Sequence, residues 1–393
     1  MAGGRGERLR PFTDEHPKPL YPVQKVPFIR YLIEQCKEFG ITEILLLLGY
    51  LAEQVEEELG DGSAFGLNIS YDVTPPEFDT GDRLVHAKDS LQDAFLLLYC
   101  DNYCPIDFPK LCADYFENHA AIQLSVYTNK DGYTKNNLKL APDSELVAVY
   151  DKARQTEGLQ GVDIGYAIIS RDIVESLPEM PGNFAKARFE ELSKEGKLFA
   201  TPTDHRYYSI GSFARMQLTE DFFSRKKAVF LDRDGTLNVR PEVARYVTTP
   251  EDFVWLDGAK EAVKLLNDAG YLVFLISNQS GIARGAMTLE DLDKVNAKME
   301  KELAEAGAHI DKIYFCPHGW DDGCDCRKPK PGMLYQAQRE FSLNLPADCA
   351  LFGDDPRDVQ AGEAANVPSV LITEEYPILQ AVKDFLHKQE KAV

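Results

Sequence analysis

An α/β protein of two doubly wound domains, each built on a mostly parallel sheet, is the fold this sequence predicts. Apolar runs of strand length alternate with amphipathic segments of helix length, the pattern of parallel sheets covered by helices. The alternation stops near Phe223 and starts afresh at Lys226-Lys227-Ala228-Val229-Phe230-Leu231, so a second self-contained series follows the first. A chain of 393 residues also exceeds what one hydrophobic core normally organises. The expected domains are residues 1–223 and 224–393.

In the first series Ile29, Leu32, Ile33, Cys36 and Phe39 share one helical face, Gly40 ends that helix, and Ile41–Leu48 reads as a buried strand. The second series continues with a helix near Ala259–Asp268 and a strand at Tyr271–Ser277. A long helix at Thr288–Ala306, a strand at Ile310–Phe315, a helix from Gly332 and a strand at Ala350–Phe352 follow. The charged stretch Asp384–Val393 is expected to fray.

The longest apolar runs, Ile44–Leu48 and Phe95–Tyr99, suit buried strands and fall well short of a bilayer span. The first residues lack the apolar core of a signal peptide, and no membrane partner is expected. A net charge of −21 argues against the broad basic face that nucleic acid requires. Small phosphorylated ligands need only a few local cations and backbone N–H groups. Of 8 cysteines, three crowd beside His318 and the rest are scattered through apolar segments. That is a metal site plus core thiols, in a reducing, cytoplasmic setting. The sequence carries no signal for oligomeric state.

Asp232-Arg233-Asp234-Gly235-Thr236 follows directly on an apolar strand. In a doubly wound sheet that end of a strand faces the ligand crevice, and two carboxylates there repel unless a cation sits between them. Alone, the pentapeptide reads equally well as a surface turn. Three further elements follow in order. Ser277-Asn278-Gln279 can hydrogen-bond phosphoryl oxygens, Arg327-Lys328-Pro329 supplies fixed positive charge, and Gly353-Asp354-Asp355-Pro356-Arg357-Asp358 supplies more carboxylate for a metal. Cys316, His318, Cys324 and Cys326 offer three thiolates and one imidazole on a polar loop, the donor set of a closed tetrahedral zinc site. Such a zinc would shape the loop and position Arg327 and Lys328 without doing chemistry itself.

From Lys226 to about Thr373 the chain resembles the haloacid dehalogenase-like phosphatases. The resemblance implies that Asp232 attacks phosphorus to form an aspartyl-phosphate, while Asp234 protonates the leaving oxygen and then activates water. It implies that Ser277 and Lys328 stabilise the equatorial oxygens, and that Mg²⁺ is held by Asp232, Asp354 and the Asp234 carbonyl, with Asp355 alongside. Within that family, the runs Ser277–Gly285 and Cys324–Pro329 are similar to those of the heptose 1,7-bisphosphate 7-phosphatases, which implies that Asn278, Arg284 and Arg327 touch the substrate. Two features depart from that group. The loop between His318 and Cys324 is short, nearer the length found in histidinol-phosphate phosphatases, and Asp355 stands where a lysine is expected.

In the front half, Gly3, Gly4, Arg8 and Lys18 belong to a run, Ala2-Gly3-Gly4-Arg5-Gly6-Glu7-Arg8-Leu9-Arg10-Pro11 leading into Pro17-Lys18-Pro19-Leu20, suited to cradling phosphate. Over roughly residues 1–221 this half resembles the sugar-1-phosphate nucleotidyltransferases, a Rossmann-like fold. The resemblance implies a Mg²⁺ ligand at Asp101, a sugar-phosphate contact at Lys152 and a sugar-contacting segment at Asp163. It also implies a strand before Ala2; without it, two neighbouring strand edges should stand open. Ser209 replaces a second metal-binding aspartate, and Thr80-Gly81-Asp82-Arg83-Leu84 replaces a small Gly/Ala-rich turn.

Together the two resemblances imply a bifunctional enzyme acting on sugar phosphates and a nucleoside triphosphate. The back half would remove the 7-phosphate of a heptose bisphosphate, and the front half would join the product to a nucleotide, with guanosine the expected base. Two alternatives remain open at this point: a phosphatase of other specificity joined to a mannose- or glucose-1-phosphate nucleotidyltransferase, and a front half that senses a sugar nucleotide without catalysis.

Overall fold

The computed structural model describes residues 1–242 and 245–391, which divide into two compact units, Met1–Ser224 and Arg225–Val393. In the first unit, β1 (Glu43–Leu48) pairs in parallel with β2 (Asn68–Val73). A second sheet holds β3 (Ala94–Leu98), β4 (Ile122–Tyr127), β5 (Val162–Ser170) and β6 (Leu198–Thr203) in the order β6-β4-β5-β3. β4 and β6 are parallel, whereas β5 runs against both its neighbours. Alternating strands and helices do not disclose that reversal, because direction is set by which edge the chain returns to.

The two sheets meet across the backbone of Met1 and Ala2. The Met1 ammonium donates to the Leu98 carbonyl at 3.0 Å, Cys100 N–H donates to Met1 O at 3.2 Å, and Ala2 N–H donates to Leu47 O at 2.9 Å. The edges of β1 and β3 are thus tied through these two residues. Helix α1 (Phe28–Glu38) buries Phe28, Ile29, Leu32, Ile33 and Cys36 as its spacing predicts, while Phe39 caps the helix and is 40% exposed. The Thr80–Leu84 segment forms helix α2 (Thr80–His86), closed at its start by a reciprocal capping box between Asp79 and Asp82.

The second unit is built on one parallel sheet. Its strands are β7 (Ala228–Leu231), β8 (Leu272–Asn278), β9 (Lys312–Cys316), β10 (Cys349–Gly353) and β11 (Ser369–Leu371), in the order β9-β8-β7-β10-β11. β7 is buried on both faces, and Leu231 lies in register with Leu275 on one side and Phe352 on the other. The strand order reverses at β7, so this is the switch point where the carboxyl ends of a doubly wound sheet open a crevice. Helices α3 (Ala259–Asp268), α4 (Leu289–Glu305), α5 (Gly332–Phe341) and α6 (Pro356–Ala364) follow their strands.

The expected fraying of the tail is not seen. Helix α7 runs from Ile378 to Lys391, burying Ile378, Ala381 and Val382 against the core, while Ala392 and Val393 lie outside the described residues. Phe385 stacks edge-on to Phe352 with ring centroids 5.6 Å apart, so an apolar stripe inside the charged stretch decides the outcome. No helix among the described residues is long and apolar enough to cross a membrane. Phe385→Ala should lower stability by about 2 kcal/mol, the cost of emptying a half-buried aromatic site. Chemical unfolding checks this, and a shift below ~0.5 kcal/mol would mark the tail as a surface ornament.

Candidate active sites and zinc loop

Asp232 emerges at the end of β7, where its N–H donates to Phe352 O of β10 at 2.9 Å. The turn that follows needs glycine. Gly235 has φ +102°, and a β-carbon there would lie 1.9 Å from Asp354 Oδ2. This close approach draws the end of β10 against the end of β7. The carboxylates of Asp232, Asp354 and Asp358 then offer oxygens within 4.8 Å of one another.

Lys328 sits inside this group with 4% of its side chain exposed. Its Nζ lies 2.5 Å from Asp232 Oδ1 and 2.6 Å from Asp358 Oδ1, and donates to Ile276 O at 2.9 Å. Asn278, at the end of β8, fixes the lysine backbone twice: its amide donates to Lys328 O at 3.0 Å and its carbonyl accepts from Lys328 N–H at 3.0 Å. Burial pushes the Asp232 carboxyl up to about 7 despite Lys328, and burial also raises Asp354. Lys328 and Arg240, whose Nε lies 2.9 Å from Asp354 Oδ2, bring two positive charges to three crowded carboxylates. Hard oxygen donors with unmet negative charge are the ligand set that Mg²⁺ takes.

Asp234 stands differently. Burial pushes its carboxyl up, but Arg233, Asn238 and Gln279 outweigh this and hold it below the usual range. Arg233, 1% exposed, reaches Asp234 Oδ2 at 2.9 Å, and the Asn238 and Gln279 amides donate at 3.0 and 3.1 Å. Gln279 also donates to Ser277 Oγ at 2.7 Å.

Asp232, Asp234, Ser277, Asn278, Arg284, Arg327, Lys328 and Asp355 all line one cavity of about 410 Å³. Asp355 does not join the carboxylate group. It caps α6, with its oxygens taken by the Arg357 backbone, the Arg357 guanidinium at 2.7 and 2.8 Å and Arg240 at 3.1 Å. Asp358, three residues on, takes the third position instead, sharing its other oxygen with Asp355 N–H at 3.1 Å. A capping box places its N3 carboxylate inward, a signal visible in the spacing of these two aspartates but not in either alone. Arg240, Arg245 and Arg357 are further cations on the cavity that the motifs did not single out.

Cys316, His318, Cys324 and Cys326 converge with their ligand atoms within 4.8 Å of one another. Measured edges are 3.6 Å for Cys316 Sγ to Cys324 Sγ, 3.6 Å for Cys316 Sγ to His318 Nδ1 and 3.3 Å for His318 Nδ1 to Cys326 Sγ. A tetrahedron with Zn–S bonds of about 2.3 Å has edges near ~3.8 Å, so the residues fit zinc. Arg327 Nη1 donates to His318 O at 3.2 Å, tying the loop to the cationic segment.

In the first unit, Gly3, Gly4, Arg8, Lys18 and Asp101 line a cavity of about 460 Å³. Lys18 Nζ lies 2.6 Å from Asp101 Oδ2. Ser209 is buried, and its hydroxyl accepts from Gly211 N–H at 2.9 Å. Lys152 is exposed, and Asp163 is held by the Tyr150 hydroxyl and Gly165 N–H, each at 2.8 Å; neither lines the cavity. Arg83 is the residue sequence reading undervalued. Buried, it donates to the carbonyls of Gly3, Leu48, Pro75 and Phe78 and to Thr74 Oγ1. A β-carbon on Gly3 would lie 2.3 Å from its guanidinium carbon, so the glycine loop is shaped around this arginine.

Two outcomes follow. Cys326→Ser should strip the bound zinc and cut phosphatase turnover about 10–100-fold, as Lys328 loses its support. Metal analysis beside kinetics tests this; full activity without zinc would sink it. Arg83→Met should destabilise the first unit by roughly 3 kcal/mol, since buried carbonyls lose their donor. Chemical unfolding measures that.

Comparison with known proteins agrees with this geometry. The profile of the family described as nucleotidyl transferase matches residues 1–136, and that described as haloacid dehalogenase-like hydrolase matches residues 170–366. The D-glycero-β-D-manno-heptose-1,7-bisphosphate 7-phosphatase of Pasteurella multocida is 41% identical over 153 residues, covering 37% of this chain and 81% of that protein. The corresponding α-heptose enzyme of Campylobacter jejuni is 42% identical over 151 residues, covering 38% of this chain and 84% of that protein. A Bacillus anthracis structure assigned as a glucose-1-phosphate thymidylyltransferase shares the fold, with TM-score 0.50, 19% identity, and coverage of 56% of this chain and 91% of that one. The carboxylate-edged parallel sheet, the match across half of the chain and the identity to full-length relatives lead to one statement: this chain belongs to the haloacid dehalogenase-like hydrolases, and carries a nucleotidyl transferase domain ahead of that hydrolase.

Proposed function

We propose that the chain is a bifunctional enzyme of sugar-nucleotide formation, acting on sugar phosphates and a nucleoside triphosphate. The second unit hydrolyses the 7-phosphate of D-glycero-D-manno-heptose 1,7-bisphosphate, and the first unit transfers GMP from GTP to the resulting sugar 1-phosphate. The reading rests on the cluster of Asp232, Asp354 and Asp358, two of which, Asp232 and Asp358, hold buried Lys328, within a segment over 40% identical to heptose bisphosphate phosphatases.

Asp232 is the nucleophile in this reading. Its carboxylate oxygen bonds to phosphorus as the bond to the sugar oxygen breaks, leaving an aspartyl-phosphate. Lys328 and Ser277 hold the equatorial oxygens. Asp234 gives a proton to the departing sugar oxygen and later takes one from the attacking water. The Arg233 pair favours ionised Asp234, the form the second step needs; for the first step that contact must loosen and Asp234 must take up a proton from water before giving it to the departing oxygen. Asp232, Asp354 and Asp358 would hold Mg²⁺, which would supply neutralisation of the charge on nucleophile and phosphoryl group.

In the first unit the glycine loop, Arg8 and Lys18 receive the triphosphate, with Asp101 as the metal ligand, while Lys152 and Asp163 lie on the sugar side. A sugar-phosphate oxygen attacks the α-phosphorus and pyrophosphate leaves. The order of the two reactions has a chemical reason: the anomeric phosphate must survive the first to be used in the second. The cytoplasm suits this chemistry, because the four-residue zinc site needs reduced thiols.

One observation favours a second reading of the first unit, as a nucleotide sensor. Ser209 offers a neutral hydroxyl, a weak Mg²⁺ ligand, where a carboxylate is expected, and that hydroxyl accepts from Gly211 N–H. Under the main reading, Asp232→Asn abolishes phosphate release without unfolding the chain, and GTP is consumed only with heptose 1-phosphate and Mg²⁺ present. Phosphate release by Asp232→Asn would remove the nucleophile assignment. GTP that binds, is not consumed and shifts the phosphatase rate would establish the sensor instead.

A further inference from the structure

Gln279 follows the last residue of β8 and is 2% exposed. The sequence groups it with Ser277 and Asn278 as a donor for phosphoryl oxygens. Its contacts are of another kind. Nε2 donates to Asp234 Oδ2 at 3.1 Å and to Ser277 Oγ at 2.7 Å, while the backbone N–H donates to Cys316 O at 2.7 Å. An amide nitrogen carries two hydrogens, and both are committed here, so neither is left for a phosphoryl oxygen. The neighbouring carboxylate fixes which way the amide faces. Turned over, Oε1 would meet the oxygen of Asp234, two acceptors with no proton between them.

The two bonds do different things. A serine hydroxyl has one hydrogen and two acceptor lone pairs. With Gln279 donating to Oγ, the Ser277 hydrogen must point away from Nε2, and Ser277 lines the cavity that holds Asp232. The hydroxyl is thereby set as a donor toward phosphoryl oxygens before substrate arrives. At Asp234 the other N–H joins Arg233 and Asn238 and fixes the aim of the carboxylate. We propose that Gln279 is a positioning residue that ties the acid/base Asp234 to the phosphoryl donor Ser277, so that one buried amide aligns proton delivery with charge stabilisation. Through Cys316 O it also ties both to the zinc loop. This rests on the phosphatase reading above.

The test uses the zinc-loaded full chain and two substrates that differ in leaving group. A sugar oxygen must receive a proton as it departs, whereas p-nitrophenolate leaves without one. Gln279→Met keeps the volume and loses both donors. Its kcat/KM, which reports transfer to Asp232, should fall about 100-fold on heptose 1,7-bisphosphate and about tenfold on p-nitrophenyl phosphate, the smaller loss being that of Ser277 alone. In a Ser277→Ala background, Gln279→Met should slow p-nitrophenyl phosphate hydrolysis by less than about twofold, because its partner there is already gone. Zinc content should match the wild type. Equal losses on the two substrates overturn the tie to Asp234, and a full tenfold loss in Ser277→Ala overturns the tie to Ser277. Equal losses with zinc released mark a merely structural residue and overturn the proposal, provided Gln279→Glu, of the same shape, gives the same result. A wild type that hydrolyses neither substrate removes the phosphatase reading and the proposal with it.

Discussion

Lys328 holds a positive charge almost out of reach of water, among oxygens of Asp232, Asp358 and Ile276. Burying a cation costs several kcal/mol unless its partners are close and well aimed, so every element that touches it is constrained. Asn278 grips the lysine backbone from the end of β8, Asp232 meets it from β7, and Asp358 from the first turn of α6. Two strand ends and the first turn of one helix are drawn to one ammonium. The zinc ligand Cys326 lies two residues before it, so the loop that binds zinc and the charge that meets phosphate are parts of one constraint.

Charge placement continues the theme. The chain carries a net charge of −21, yet the cavity above Asp232 gathers six cations, Arg240, Arg245, Arg284, Arg327, Lys328 and Arg357. The cavity of the first unit likewise gathers Arg8, Lys18 and Arg83. A local positive field within an acidic surface favours small multiply charged anions. In the first unit the buried arginine also has a mechanical task. Arg83 gathers carbonyls from Gly3, Leu48, Pro75 and Phe78, so the glycine loop is braced by a side chain that motif reading places in a turn.

Motif residues were legible in the sequence where their spacing is local. Asp232, Asp234, Ser277, Asn278 and Lys328 follow strand ends in sequence, and the sheet brings them to one edge because parallel strands expose their carboxyl ends together. The zinc ligands were legible for the same reason: two short pairs and a short loop leave few ways to close. Reading failed where two residues of one type compete. Asp355 and Asp358 both follow β10, and only the start of α6 decides that one turns out to cap and clamp arginine while the other turns in. Lys152 and Asp163, expected to contact the sugar phosphate and the sugar, lie off the cavity lined by the glycine loop, where Asp163 is held by Tyr150 and Gly165.

The sequence alone determined the two-unit plan, the α/β class, the nucleophile candidate and the zinc donors, because periodicity and short-range spacing are properties of the chain itself. Tertiary structure alone decided the reversed direction of β5, the tie that Met1 and Ala2 make between two sheets, the third carboxylate and the hold of Gln279 on Asp234. Each of these depends on residues distant in sequence meeting at close range. Their pairing is set by which strands neighbour one another and by the desolvation cost of leaving any buried charge without a partner.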